Sequence, residues 1–151
     1  MASSLVKVDI HLIFHAKTTG VMMRSADLPR IFQYLGGVIK GLGGIPVMVG
    51  GMADHIHILC SLPKDKSLVA FVRTVKAESS KWMKSLDPSY SRFAWQDGYG
   101  AFSVSPSVLG KVESYIKNQP EHHKHRTFED EYRALLLASG VAFDERYAFG
   151  D

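Results

Sequence analysis

Residues 45–62, IPVMVGGMADHIHILCSL, read as two short strands joined by a tight hairpin. Both runs are rich in β-branched and apolar residues, and the link at Gly50–Asp54 contains the glycines and the aspartate typical of turns. Because side chains alternate between the faces of a strand, His55 and His57 are expected on one face and the intervening isoleucines on the other. The single cysteine, Cys60, falls on the isoleucine face, where we expect a small buried apolar residue.

The segments around this hairpin alternate between strand and helix patterns. The predicted elements are, in chain order, a strand over 6–16, a helix over 28–40, the two hairpin strands, a helix over 68–86, a strand over 99–105, and helices over 108–119 and 128–139. The candidate helix caps are Ser25 or Asp27, then Ser67, and then Ser105 followed by Pro106. The order β-α-β-β-α-β matches the split βαβ pattern, so we predict an α+β, ferredoxin-like or RRM-like fold with an antiparallel sheet and added C-terminal helices. We expect one domain over residues 1–151.

The composition permits a nucleic-acid partner without requiring one. The chain has 18 Lys+Arg against 15 Asp+Glu, and its 46% hydrophobic content is enough for a core. No apolar run reaches the ~18 residues needed to span a bilayer, and the N-terminus lacks the pattern of a signal peptide. One cysteine excludes an intrachain disulfide framework. We therefore expect a cytoplasmic protein without a membrane partner.

The two strand histidines are candidate metal ligands. Two imidazoles on neighbouring same-face positions can bind one divalent ion, although such a pair is more often only hydrogen-bonded. A third ligand is needed, and the amide oxygen of Gln119 suits a hard ion such as Mg²⁺. The histidines in PEHHKHR (120–126) are interpreted instead as part of a solvated basic loop. Tyr115 lies four residues before Gln119 and hence on the same helical face, as either a reactive or a packed side chain.

Taken together, these segments resemble the single-tyrosine (Y1) HUH transposases of the IS200/IS605 type. The resemblance is closest to the branch associated with repetitive extragenic palindromes (REP). It extends from HLIFHAK (11–17) to FDERYAF (143–149). Its most specific parts are GGMADHIHIL (50–59) and YIKNQPEHH (115–123), with support from KAESSKW (76–82) and FAWQDGYGAFSVS (93–105).

The resemblance implies a DNA transposase or recombinase that cleaves and rejoins single-stranded DNA. It implies that His55, His57 and Gln119 bind a divalent ion, Mg²⁺ or Mn²⁺, and that Tyr115 is the nucleophile. In this family the tyrosine attacks a phosphodiester, forms a 5′-phosphotyrosine link and frees a 3′-OH that can later reseal a strand. The covalent link conserves bond energy, which agrees with the absence of a phosphate-binding P-loop motif. Pro120 disfavours helix at the residue before it, so we predict a kink at Gln119.

The resemblance also implies a partner and an assembly. The partner is single-stranded DNA with hairpin or palindromic ends, at the nucleoid of a prokaryotic cell. The assembly is a homodimer, and we expect each chain to donate its tyrosine to the metal site of its partner. The candidate DNA contacts, for which a solvated surface is the alternative, are Lys17, Arg73, Lys76, Lys81 and Lys117. Three aromatic residues can stack on unpaired bases, although core packing is the better expectation for at least two: Trp95, Tyr99 and Phe102.

Two other functions stay open at this point. One is a non-catalytic nucleic-acid-binding module on an RRM-like sheet, but the K/R-G-F/Y-G/A-F-V-x-F/Y signature of that module is not visible. The other is a metal-dependent phosphohydrolase in which water replaces the tyrosine.

Overall fold

Four strands form one antiparallel sheet in the computed structural model, which describes residues 3–18 and 20–149. The strands are β1 (Asp9–His15), β2 (Ile45–Met52), β3 (His55–Ser61) and β4 (Gly100–Ser103), and their order across the sheet is β2-β3-β1-β4. The first two helices are α1 (Leu28–Gly41) and α2 (Leu68–Leu86). The element order and the antiparallel pairing confirm the predicted α+β fold. The ends of the domain predicted over 1–151 lie outside the described residues.

One face of the sheet packs against α1 and α2 to form the main core. The strand residues in this core alternate along β1 and β3 and are Ile10, Leu12, Phe14, Ile56, Ile58 and Cys60. Burial raises the pKa of the Cys60 thiol to about 12, so the cysteine is a buried neutral group, as predicted. Ser67 caps α2 by accepting a hydrogen bond from the Ala70 amide at 3.1 Å, which also confirms a prediction.

The start of α1 differs from the expected cap. A short 3-10 turn, Ser25–Asp27, precedes the helix, and neither residue makes a side-chain capping bond. The Asp27 carboxylate instead accepts hydrogen bonds from the Tyr90 hydroxyl at 2.5 Å and from Arg24 Nε at 2.8 Å. Asp27 is therefore a tertiary contact between α1 and the loop after α2 rather than a local cap.

The hairpin between β2 and β3 is tighter than predicted. Met52 pairs with His55, so only Ala53 and Asp54 form the turn, and both glycines of the predicted link lie inside β2. Gly50 allows a close approach from the next layer, because a Cβ there would lie 2.7 Å from the carbonyl oxygen of Ile116. The bare backbone at Gly50 thus lets the C-terminal helices pack directly on the hairpin.

The C-terminal helices cover the second face of the sheet. They are α3 (Leu109–Lys117), α4 (Gln119–His122), α5 (Phe128–Ala138) and α6 (Glu145–Ala148). The helix predicted over 108–119 is broken at Asn118, one residue before the kink predicted at Gln119, which itself begins α4 with Pro120 in the first turn. Ser105 makes no side-chain capping bond, because its hydroxyl pairs with that of Ser107. Gly140 has φ +70 just after α5 and ends that helix, as predicted.

In the described part of the chain, no helix combines the length and apolar character needed to cross a membrane.

Candidate active site

The site lies between the sheet and the C-terminal helices, on the face opposite the main core. Strand alternation places His55 and His57 side by side on this face, and both are fully buried. β1 runs antiparallel beside them, with Ile13 opposite His57 and His15 opposite His55. The pairing predicted for the two histidines is therefore present, and the rigid sheet fixes their separation.

The outward nitrogens of the two histidines meet side chains from α4 and α5. His55 Nε2 lies 2.9 Å from Gln119 Oε1, and His57 Nε2 lies 2.9 Å from Glu131 Oε1. His55 Nε2 also lies 3.5 Å from the same Glu131 oxygen. Ligand atoms of His55, His57 and Glu131 all lie within 4.8 Å of one another. Imidazole nitrogens and a carboxylate at such separations can hold a divalent ion.

The inner nitrogens of both histidines are held by other residues. Asp54 Oδ1 lies 2.7 Å from His55 Nδ1, and His11 Nε2 lies 2.8 Å from His57 Nδ1. Burial, and then the neighbouring His57, lower the pKa of His11 to about 3, so His11 is neutral and shares one hydrogen bond with His57 Nδ1. These contacts fix the rings and leave both Nε2 atoms facing one point, as the outer partners of metal-binding histidines do.

Tyr115 and Gln119 converge on the same carboxylate. The Tyr115 hydroxyl donates to Glu131 Oε2, and Gln119 Nε2 donates to that oxygen at 2.8 Å. The Tyr115 ring centre lies 5.9 Å from that of His57. The two oxygens of Glu131 thus face different groups: Oε1 faces the imidazoles, whereas Oε2 receives the tyrosine and the amide.

The charges of the cluster are set by burial and by this carboxylate. Burial favours the neutral form of His55, but its bonds to Asp54 and Glu131 overcome this and raise its pKa to about 9. Burial lowers the pKa of His57. Burial disfavours the Glu131 carboxylate, yet the contacts from His55 and His57 hold its pKa well below the usual range. Burial, and then Glu131, raise the pKa of Tyr115. The cluster therefore pairs a cationic His55 with an ionised Glu131 beside a neutral phenol.

His123 also faces the cluster, which corrects the interpretation of 120–126 as a solvated loop. Its Nε2 lies 3.0 Å from Gln119 Oε1 and 3.3 Å from Glu131 Oε1, and its side chain is only 9% exposed. Its Nδ1 lies 2.8 Å from the Arg126 carbonyl oxygen. The solvated interpretation holds for His125, which is exposed.

Four residues of this cluster were not predicted as site residues: Glu131, His123, His11 and Asp54. Glu131 carried a detectable signal, because it lies among the apolar positions of α5 with Phe128 and Tyr132, where a charge is unexpected. His123 continues the four-residue spacing from Tyr115 through Gln119. The signal for His11 is that it lies four residues before His15 in β1, so these two histidines share one strand face.

All four predicted residues of the site come together within one chain: His55, His57, Tyr115 and Gln119. The tyrosine lies beside the histidines of its own chain, which differs from the expected donation to a partner's site. The helix α3, which carries Tyr115, packs on the hairpin at Gly50, where Ile116 approaches the backbone closely.

The predicted DNA contacts occupy different environments. Arg73, Lys81 and Lys117 are exposed, and Lys17 is half-buried. Lys76 donates to the carbonyl oxygens of Gln96 at 2.5 Å and Gly98 at 2.8 Å, and burial lowers its pKa. Its ammonium group thus holds the loop before β4, which leaves less of it available to a phosphate.

The three predicted stacking residues are largely packed. Trp95 is buried in the main core and donates to the Ser79 hydroxyl at 3.0 Å. Phe102 packs against the smaller core under α5. Tyr99 is half-buried and lines a surface cavity of about 420 Å³ beside α2. Core packing for at least two of the three is confirmed.

Comparisons with known proteins identify the class of this fold and site. The family model "Transposase IS200 like" matches residues 4–119. Because that match covers most of the chain, the protein belongs to the IS200-like transposase family. The curated proteins contain no match.

Two solved structures share the fold. One is a proposed transposase from Deinococcus radiodurans R1, with TM-score 0.61 and 22% identity over 79% of this chain and 95% of the other. The second is a REP-associated tyrosine transposase bound to a REP hairpin, with TM-score 0.60 and 13% identity over 100% of this chain and 96% of the other. The family and the shared fold support a role as a transposase.

Proposed function

We propose that this transposase cleaves and rejoins single-stranded DNA through a covalent 5′-phosphotyrosine link to Tyr115, assisted by a divalent ion. The observation that carries the proposal is the shared carboxylate of Glu131. One of its oxygens faces His55 and His57, and the other accepts the Tyr115 hydroxyl. The proposed nucleophile and the proposed metal ligands therefore contact the two oxygens of one carboxylate.

The donor set fits a divalent ion. His55, His57 and Gln119 would hold it, and Glu131 Oε1 is placed to join them. The ion, Mg²⁺ or Mn²⁺, would draw charge from a non-bridging phosphate oxygen and so ease attack by an anionic oxygen. Asp54 and His11 orient the two imidazoles for this task.

The residues of the chain supply the nucleophile and a path for its proton. An ordinary phenol has pKa ~10, and the pKa of Tyr115 is higher still, so little phenolate exists before substrate binds. Glu131 Oε2 already accepts the hydroxyl and so orients its oxygen; because the pKa of Glu131 is low, the carboxylate would share the phenol proton only as the attack proceeds. The Tyr115 oxygen bonds to phosphorus, the bond to the 3′ oxygen breaks, and that oxygen leaves as a 3′-OH after gaining a proton. Reversal of these steps reseals the strand.

Single-stranded DNA with a hairpin is the proposed substrate. A cavity of about 180 Å³ opens on Tyr115 and is lined by His11, Lys111, Val112 and Leu135. Lys111 adds a positive charge where a phosphate would enter. A REP hairpin is the ligand of one neighbour in fold, which supports a hairpin here as well. Such a substrate implies the cytoplasm of a prokaryotic cell, at the nucleoid.

Further contacts and the assembly stay predictions. The exposed cations Arg73, Lys81 and Lys117, with Lys17, are proposed to contact phosphates. A homodimer is also proposed, with each chain using its own tyrosine because the site is complete within one chain.

A denaturing gel tests the proposal. The protein is mixed with labelled single-stranded hairpin DNA and Mn²⁺, beside the variants Tyr115→Phe and Tyr147→Phe. Tyr147 is exposed and serves as the matched control. We expect a covalent protein–DNA band that is lost only in Tyr115→Phe, while DNA binding is retained because the ring still packs. Cleavage without a band would support a phosphohydrolase, and binding alone would support a non-catalytic module. Either result would overturn the proposal.

A further inference from the structure

We propose that His123 is a ligand of the metal site and that this third imidazole makes the site selective for a divalent transition ion such as Mn²⁺ or Co²⁺ over Mg²⁺. This inference rests on the proposed function, because it concerns the ion that would assist Tyr115. It adds a residue from the connection between α4 and α5 to the set of His55, His57 and Gln119.

The placement of His123 is that of a ligand rather than a surface residue. Its Nε2 lies 3.0 Å from Gln119 Oε1 and 3.3 Å from Glu131 Oε1, the two oxygens that also face His55 Nε2. Its other nitrogen lies 2.8 Å from the Arg126 carbonyl oxygen. That contact fixes the ring with Nε2 pointing inward, as Asp54 does for His55.

The distances between neighbouring donors fit a coordination shell. The separations between neighbouring imidazole, amide and carboxylate donors run from 2.9 to 3.5 Å. With bonds of about 2.1 Å, adjacent ligands of an octahedral ion lie about 3.0 Å apart and those of a tetrahedral ion about 3.4 Å apart. One ion can therefore reach this donor group with small side-chain movements.

The chemistry of the donors favours a transition ion. Mg²⁺ prefers oxygen ligands and keeps several waters, whereas imidazole suits Mn²⁺, Co²⁺ and Zn²⁺ better. His55, His57 and Glu131 form a group that could hold an ion, and Gln119 and His123 contact it, so together they offer three imidazole nitrogens and two oxygens. Five protein ligands leave one octahedral position for a phosphate oxygen, which is the open position that a catalytic ion requires.

The alternative is a metal-free hydrogen-bond cluster that only holds α4 and α5 on the sheet. In that case the contacts of His123 would stabilise the fold without raising metal affinity. Metal binding in the absence of DNA separates the two, because it depends on the ligands alone.

Calorimetry of the full chain tests the proposal with Mn²⁺, Co²⁺ and Mg²⁺, each without DNA. The variants are His123→Ala and, as the matched control, the exposed neighbour His125→Ala. We expect the unmodified chain and His125→Ala to bind Mn²⁺ and Co²⁺ at least about tenfold more tightly than Mg²⁺. His123→Ala should lose about tenfold or more for Mn²⁺ and Co²⁺, and much less for Mg²⁺. Equal affinity in His123→Ala, or equal affinity of the unmodified chain for Mn²⁺ and Mg²⁺, would overturn the proposal.

A second measurement keeps the proposal testable if His123→Ala does not fold, which circular dichroism would reveal. Pulsed electron paramagnetic resonance of the Mn²⁺-bound chain counts coordinated nitrogens, and we expect three. A count of two would remove His123 from the metal. The proposed function has its own readout, since a covalent band with Tyr115 can form whether the ion has two or three imidazole ligands.

Discussion

Gly50→Ala tests how the tyrosine is positioned, because this glycine is where α3 rests on the hairpin. An added Cβ would lie 2.7 Å from the carbonyl oxygen of Ile116 and 2.9 Å from its Cγ2. Ordinary contact begins at 3.4 Å. The backbone of α3 must therefore retreat by about 0.7 Å, since a carbonyl oxygen cannot turn away as a flexible side chain can. Ile116 directly follows Tyr115, so the proposed nucleophile moves with it.

The magnitudes follow from this displacement. Overpacking of this kind destabilises a protein by about 1–3 kcal/mol. For a chain of this size, each kcal/mol lowers Tm by roughly 2–4 °C, so we expect a decrease of about 2–12 °C. A shift of nearly 1 Å between reacting groups can lower a rate by about a hundredfold. We therefore expect formation of the covalent DNA complex to slow by about ten- to a hundredfold.

Two assays measure these effects. Thermal unfolding gives the change in Tm, and a time course of the covalent band on hairpin DNA gives the rate. Gly37→Ala is the matched control, because a Cβ at Gly37 meets nothing within 4 Å and alanine in a helix interior stabilises by roughly 0.5–1 kcal/mol. A Gly50→Ala chain with unchanged Tm and an unchanged rate would refute the packing of α3 described above.

Three further predictions concern stability, DNA contacts and assembly. Tyr90→Phe removes a hydrogen bond that holds the pKa of Asp27 below its ordinary value, so we expect a loss of about 1–3 kcal/mol at pH 7. A carboxylate whose pKa is lowered in the folded state stabilises the fold above its unfolded pKa, near 3.8 for Asp27. The difference in Tm between the unmodified chain and Tyr90→Phe should therefore shrink as the pH falls below about 4. A difference that stays constant with pH would contradict this. Arg73→Ala should make the slope of log DNA affinity against log salt concentration shallower by about 0.7. Lys76→Ala should lower Tm with little change in that slope, because its ammonium group binds backbone carbonyl oxygens. The reverse result would indicate that Lys76 contacts a phosphate. A His57→Ala chain and a Tyr115→Phe chain, each expected to be inactive alone, should not restore cleavage when they are mixed. Restored cleavage, with subunit exchange confirmed, would show that the tyrosine acts on the partner's site.

The local features of this molecule were readable from the sequence. His55 and His57 could be placed on one face because strand alternation depends only on neighbouring residues. Pro120 predicted a break in this helix for the same reason, but the break lies at Asn118, one residue earlier than the restriction on Gln119 implies.

The features that depend on distant segments were not readable in full. Glu131 contacts His57, 74 positions earlier in the chain, and no local pattern specifies which buried partner a charge on an apolar helix face will meet. Lys76 looked like one of several solvated cations, but its ammonium group reaches carbonyl oxygens 20 and 22 positions away. In both cases the packing of separate elements, rather than the residue's own element, decides the role.

Mass spectrometry of the adduct tests most directly whether Tyr115 becomes covalently linked to DNA in a metal-dependent step. Trypsin releases residues 112–117, VESYIK, in which Tyr115 is the only tyrosine. After reaction with hairpin DNA and Mn²⁺ and nuclease trimming, we predict a nucleotide mass on Tyr115 of this peptide, and none when EDTA replaces the metal. An adduct on another residue, or cleaved DNA with an unmodified VESYIK peptide, would contradict the account.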